Sequence, residues 1–74
     1  MWIFKTKIGI LWIRKRVDGR FELGINNKGI GSYHEAWAAA DDVYCKATGY
    51  INWSRLKDQR IPRDLSEWEF ISTF

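Results

Sequence analysis

Apolar and polar residues alternate through positions 11–25. Leu11, Ile13, Phe21, Leu23 and Ile25 fall on one side of a hairpin, and Trp12, Arg14, Arg16, Arg20 and Glu22 on the other. A period of two is that of an antiparallel sheet with one buried face. Two registers are open at the intervening turn. A two-residue loop on Asp18 and Gly19 would pair Arg16 with Phe21 and Arg14 with Leu23, mixing charge into the core face. A three-residue loop with Gly19 in the left-handed conformation pairs Ile13 with Leu23 and Leu11 with Ile25, and is the register expected. It sets Arg14 opposite Glu22, and Trp12 opposite Gly24, where an indole can cover a residue without a side chain.

Trp2 to Thr6 reads as a further strand, with Trp2 and Phe4 on one side and Ile3, Lys5 and Lys7 on the other, and Gly9 permits the reversal that follows. Asn26 and Asn27 make a second turn, after which Lys28 to Gly31 can add a short strand. Ser32 and Glu35 have the spacing of a capping box, Ala36 to Ala40 are strong helix formers, and Gly49 is a natural stop, so a helix is expected over 33–48. Trp37, Ala40, Tyr44 and Ala47 form one stripe of it, with Ala36, Ala39 and Val43 beside them, and this face is expected to meet the sheet. Asp41, Asp42 and Lys46 then point to solvent.

Beyond Tyr50 no long period is readable. Asn52, Trp53 and Ser54 begin an irregular tail, and Pro62 breaks it again. Asp64 to Trp68 suit one helical turn, from which Leu65 and Trp68 fold back over apolar surface. Phe70 and Phe74 are open between an ordered and a frayed end. The expected architecture is α+β: a three- to four-stranded antiparallel sheet (1–33) with one helix packed across its apolar face and an irregular tail (50–74), in a single domain of 74 residues.

Composition adds to this picture. Five Trp, three Tyr and four Phe give a short chain unusual buried area per side chain, one route to stability at a size where a single core only just outweighs chain entropy. The lone Cys45 cannot form an internal bridge, and with His34 the only histidine there is no zinc-ligand cluster, so a reducing cytoplasm is expected and neither metal nor cofactor. The longest apolar stretch, Ile8 to Ile13, is far too short to span a bilayer, and no signal peptide is legible. The net charge of +3 is unevenly spread. Residues 1–28 carry seven Lys and Arg against Asp18 and Glu22, whereas residues 29–74 carry five against seven acids. Such polarity suits an anionic partner on the sheet half, and equally suits exposed strands that avoid pairing edge to edge.

The spacing of these elements resembles the ethylene-response-factor DNA-binding domain of plants, the Apetala-type fold also found in some phage integrases and homing endonucleases. The likeness runs from Ile13, Arg14, Lys15 and Arg16 through Gly19, Arg20, Phe21, Glu22, Leu23 and Ile25. It continues through Ile30, Gly31, Ser32 and Tyr33, then Glu35 to Asp41, Gly49, Asn52 and Trp53, and so covers residues 11–53. It implies a three-stranded antiparallel sheet backed by a helix, and DNA contact from the open sheet face through Arg14 and Arg16. Other family contact positions hold Leu11, Asp18, Asn26, Asn27 and Gly29 here. The helix and Trp-rich tail also resemble small uncharacterised bacterial proteins, a likeness that implies no activity.

The candidate nucleic-acid-binding residues are therefore Arg14, Arg16, Arg20, Lys5, Lys7 and Trp12, with duplex DNA the expected partner. Guanidinium groups pair with phosphates and guanine edges, and an indole stacks on a base or sugar. Each has a structural alternative: solvated strand arginines with Arg14 paired to Glu22, and a Trp12 packed beneath the tail. Asp41 and Asp42 point about 100° apart on a helix and make no catalytic dyad. His34 reads as a surface residue of the first helical turn and Cys45 as a small hydrophobe at the core edge. No phosphate loop, metal-ligand spacing or hydrolase elbow is present, so no enzyme and no catalytic residue are expected. The rival to nucleic-acid binding is a protein-interaction or accessory module in which the aromatic tail or acidic helix face docks a partner or a second copy.

Overall fold

The computed structural model describes residues 1–72, so Phe74 lies outside the described residues. Five strands form one antiparallel sheet: β1 (Trp2–Thr6), β2 (Gly9–Lys15), β3 (Phe21–Ile25), β4 (Lys28–Tyr33) and β5 (Glu69–Phe70), in spatial order β4-β3-β2-β1-β5. The α+β class with a helix across the apolar face is as the pattern predicts, and the tail supplies the fifth strand. β2 and β3 pair Leu11 with Ile25, Trp12 with Gly24, Ile13 with Leu23 and Arg14 with Glu22, which is the three-residue-loop register. Gly19 adopts φ 87° and its N–H donates to the Arg16 carbonyl at 3.1 Å, while the Arg16 N–H donates to the Arg20 carbonyl at 2.7 Å. A residue with a Cβ would be strained at that φ.

Helix α1 (Ala36–Tyr44) lies against β2, β3 and β4. Its boundaries and its buried face both differ from the sequence expectation. Ser32 is part of β4, opposite Glu22, so the capping box does not form, and Glu35 precedes the helix without a side-chain cap. The helix ends well before Gly49. Lys46 takes the left-handed position (φ 56°), its N–H donating to the Val43 carbonyl and that of Ala47 to the Asp42 carbonyl, the pairing of a Schellman stop. Ala36, Ala39, Ala40 and Val43 are the buried positions, whereas Trp37 is 64% exposed and Tyr44 and Ala47 also face solvent. The reason is spatial: Leu11, Ile13, Leu23 and Ile25 already fill the sheet surface, and alanines let the helix backbone approach it where an indole would hold it off.

The tail is more ordered than its sequence suggests. A short helical turn, α2 (Ile51–Ser54), buries Trp53 completely, and its indole N–H donates to the Val43 carbonyl at 2.9 Å, tying α2 to the end of α1. A 3-10 turn over Leu65–Glu67 is capped by Asp64, whose carboxylate accepts from the Ser66 N–H at 2.9 Å and from the Ser66 hydroxyl. Those bonds hold the Asp64 carboxyl below its ordinary range. The turn delivers Trp68 into the core, 5.9 Å from the Phe4 ring centroid, and Leu65 packs beside it as expected. Beyond it Phe70, opposite Trp2 in the β1–β5 pair, is 61% exposed and meets that indole edge-on at 5.1 Å. Helix and tail thus share the apolar side of the sheet.

Candidate nucleic-acid interface

The open face of the sheet is built by the second half of the same alternation. Ile3 and Lys5 from β1, Ile10, Trp12 and Arg14 from β2, Glu22 and Gly24 from β3 and Ser32 from β4 point away from the helix, as their register partners require. Trp12 is half-buried on this face and is not beneath the tail. Its ring lies flat across Gly24, where a Cβ would stand 2.0 Å from Cζ2. Its Nε1 donates to the Asn26 carbonyl at 2.8 Å. Asn26, a turn residue at φ 51°, also accepts from the Ile10 N–H through Oδ1 at 3.0 Å, so one asparagine fixes both the strand end and the indole.

Arg14 and Arg16 are exposed and Arg20 is half-buried, and none of the three is free. Arg14 donates to Glu22 Oε1 from Nη2 at 3.0 Å and from Nε at 3.2 Å, and its guanidinium carbon stands 5.2 Å from the Trp12 ring centroid. Gly29 gives the Glu22 carboxylate its room, since a Cβ there would come within 2.3 Å of Oε2. Arg16 pairs with Asp18 at 3.2 Å, and Asp18 in turn accepts from the Arg20 backbone N–H at 3.0 Å. Arg20 reaches across to β4, donating from Nε to Ser32 Oγ at 2.7 Å, with Nη1 3.3 Å from His34 Nδ1. Such exposed ion pairs are worth about 0.2–1 kcal/mol each, so a phosphate can displace them. Between the strands and the loop, Arg14, Lys15, Arg16, Val17 and Glu22 line a solvent-open depression of about 480 Å³.

Lys5 is exposed on the open face beside Ile10. Lys7 does not join the group: it sits in the β1–β2 turn, where its ammonium donates to the Asp58 carbonyl at 2.6 Å and its backbone N–H to Gln59 Oε1 at 2.9 Å, binding the tail to the sheet. Ser32 and His34 were invisible as neighbours of Arg20 because the β4 register is shifted by a bulge that leaves Ile30 without a partner and lets it pack toward the core. The only sequence signal was the glycine pair flanking Ile30.

The remaining candidates resolve differently. His34 lies between β4 and α1 rather than in the first helical turn. Cys45 is exposed at the end of α1 instead of at the core edge. Asp42 accepts from the Tyr33 hydroxyl at 2.8 Å, and burial, followed by this bond and the nearby carboxylate charge, raises the Tyr33 phenol above its ordinary value. Asp42 and Lys46 are thus half-buried rather than free in solvent, the Lys46 ammonium donating to the Leu56 carbonyl. Among the described residues no group of His, Cys, Asp or Glu is arranged to hold a metal ion, and no helix is long and apolar enough to cross a membrane. No family model, curated protein or solved structure matches the chain.

Proposed function

We propose that this domain is a nucleic-acid-binding module, without catalytic activity of its own, that engages phosphates and bases through the open sheet face. Arg14, Arg16, Arg20 and Lys5 supply the positive charge and Trp12 the flat apolar centre. The observation that carries this reading is the division of the molecule: α1 and the core-facing tail side chains occupy one side of the sheet, leaving four cations and an indole on the other against Asp18, Glu22 and Glu69, the last paired with Ile3. Phosphate binding releases condensed counterions, so affinity falls steeply with salt.

Fluorescence anisotropy of a labelled DNA oligonucleotide across a salt series tests this. Binding that weakens as salt rises, and weakens again when Arg14 and Arg16 become Ala, is expected. Equal weak binding at every salt concentration, or no loss in the double variant, removes the proposal.

A second reading has its own observation. Trp37 on α1 and Phe70 on β5 are large apolar side chains left mostly in water, which suits docking of a protein partner or a second copy. Sedimentation across a concentration series separates the two, because self-association raises the mass with no nucleic acid present.

A further inference from the structure

We infer that the open face takes unpaired nucleic acid in preference to duplex, with one base stacked on Trp12; this rests on the proposed function and adds the class of ligand. The relief of the face carries the inference. A protein that reads a B-form duplex must reach base edges in a major groove about 8.5 Å deep. Here every candidate arginine is folded back onto the sheet: Arg14 to Glu22, Arg16 to Asp18, and Arg20 to Ser32 and His34. Those side chains can be released by a phosphate, but Trp12 cannot follow them. Its indole is pressed against Gly24 and anchored through Nε1 to the Asn26 carbonyl, so it presents a ring face and keeps its one donor occupied.

A ring face has little to offer a duplex, whose bases are already stacked on one another and show only their edges. An unpaired base has a free π face, and stacking it on an aromatic side chain is sequence-tolerant and substantial. The Arg14 guanidinium lies over the indole, 5.2 Å from its centroid, so an incoming base displaces it from the ring and leaves it placed to meet the 5′ or 3′ phosphate of that base. Arg16 and Arg20 lie further along the hairpin, in the direction the backbone of a single strand would continue. The low, basic, indole-centred surface is that of a stacking platform.

Anisotropy titrations at low salt with three labelled probes of about ten nucleotides test this: a mixed-sequence single strand, its duplex, and an abasic strand that keeps the phosphates but has no bases. The single strand is expected to bind most tightly, with the abasic strand weaker by about tenfold, the scale of one stacked base. Trp12→Ala should lower single-strand affinity by a similar factor, and Trp12→Phe should restore most of the loss, a control that separates stacking from loss of fold. Because the three-probe comparison uses the unaltered protein, it stands even if the Ala variant does not fold. Duplex binding as tight as single-strand binding, or an abasic strand equal to its base-bearing counterpart, overturns the inference. If those results come with a steep salt dependence, the charge-based function survives without it; if no probe binds, both fall.

Discussion

The indole of Trp12 occupies the space that a side chain at Gly24 would need: a methyl group there would lie within 2.0–2.5 Å of three of its ring carbons. The two residues face each other across β2 and β3, and each is suited to its place by the other. Gly24→Ala is expected to destabilise the fold by about 1–3 kcal/mol, the range for overpacking. The same change in a Trp12→Ala background should cost far less, and urea unfolding midpoints of the four proteins measure the coupling.

Tyr33 gives the fold an alkaline sensitivity. Its phenol is held protonated above the ordinary value of 10.0 by burial and by its bond to Asp42. Below pH 10 folded and unfolded chains both keep this proton, and the contribution is complete. At higher pH the unfolded chain gives it up first, so stability falls as pH rises toward the folded value. Denaturant midpoints followed from pH 9 upward should decline more steeply for the natural sequence than for Tyr33→Phe. At neutral pH that substitution should cost about 1 kcal/mol for the lost hydrogen bond.

Trp53 is the largest fully buried side chain, and it joins the tail to α1. Trp53→Ala is expected to cost about 3–5 kcal/mol, comparable to what a core of this size supplies, and should leave the chain unfolded by circular dichroism at 25 °C. Trp53→Phe should fold with reduced stability, because the Val43 carbonyl keeps its bond from the Lys46 N–H.

Charge on the open face should be separable from stability. Replacing Arg16 by Ala removes an exposed ion pair and should shift unfolding by less than about 1 kcal/mol, and replacing Arg14, which also lies over the Trp12 ring, by about 1 kcal/mol. If the proposed interface is used, each lost phosphate contact should flatten the logarithmic salt dependence of binding by about 0.9 on a duplex and about 0.7 on a single strand. Paired thermal melts and salt titrations measure the two effects on the same samples.

The central hairpin was readable because its residues obey two constraints at once. Leu11, Ile13, Leu23 and Ile25 need a common face, and Asp18-Gly19 admits the one loop that gives it. The sequence places a helix across the apolar face but runs it past both of its ends and turns the wrong stripe inward, since Trp37 and Tyr44 look like core residues until the sheet beneath them is seen to be full. Ser32 reads as a cap only if β4 is shorter than it is; strand pairing with Glu22 takes precedence over capping. β5 has two residues and no alternation to detect, and its existence depends on where the 3-10 turn aims the chain. On the open face, Arg14, Glu22, Trp12 and Gly24 followed from register alone. Arg20 with Ser32 and His34, and Lys7 with the tail, depend on contacts between segments that carry no shared pattern.

The pairing of β1 with β5 continues one step further, where the Met1 amino group donates to the Ile71 carbonyl at 3.0 Å and the Ile71 N–H donates to the Met1 carbonyl at 2.7 Å. Residues separated by 70 positions are therefore neighbours. A circular permutant that bridges these ends with a short flexible linker and opens the chain at Gly49, which is exposed and crowded by nothing, turns the most distant strand pairing into a local hairpin. Its refolding should accelerate, because closure of the longest loop no longer precedes completion of the sheet.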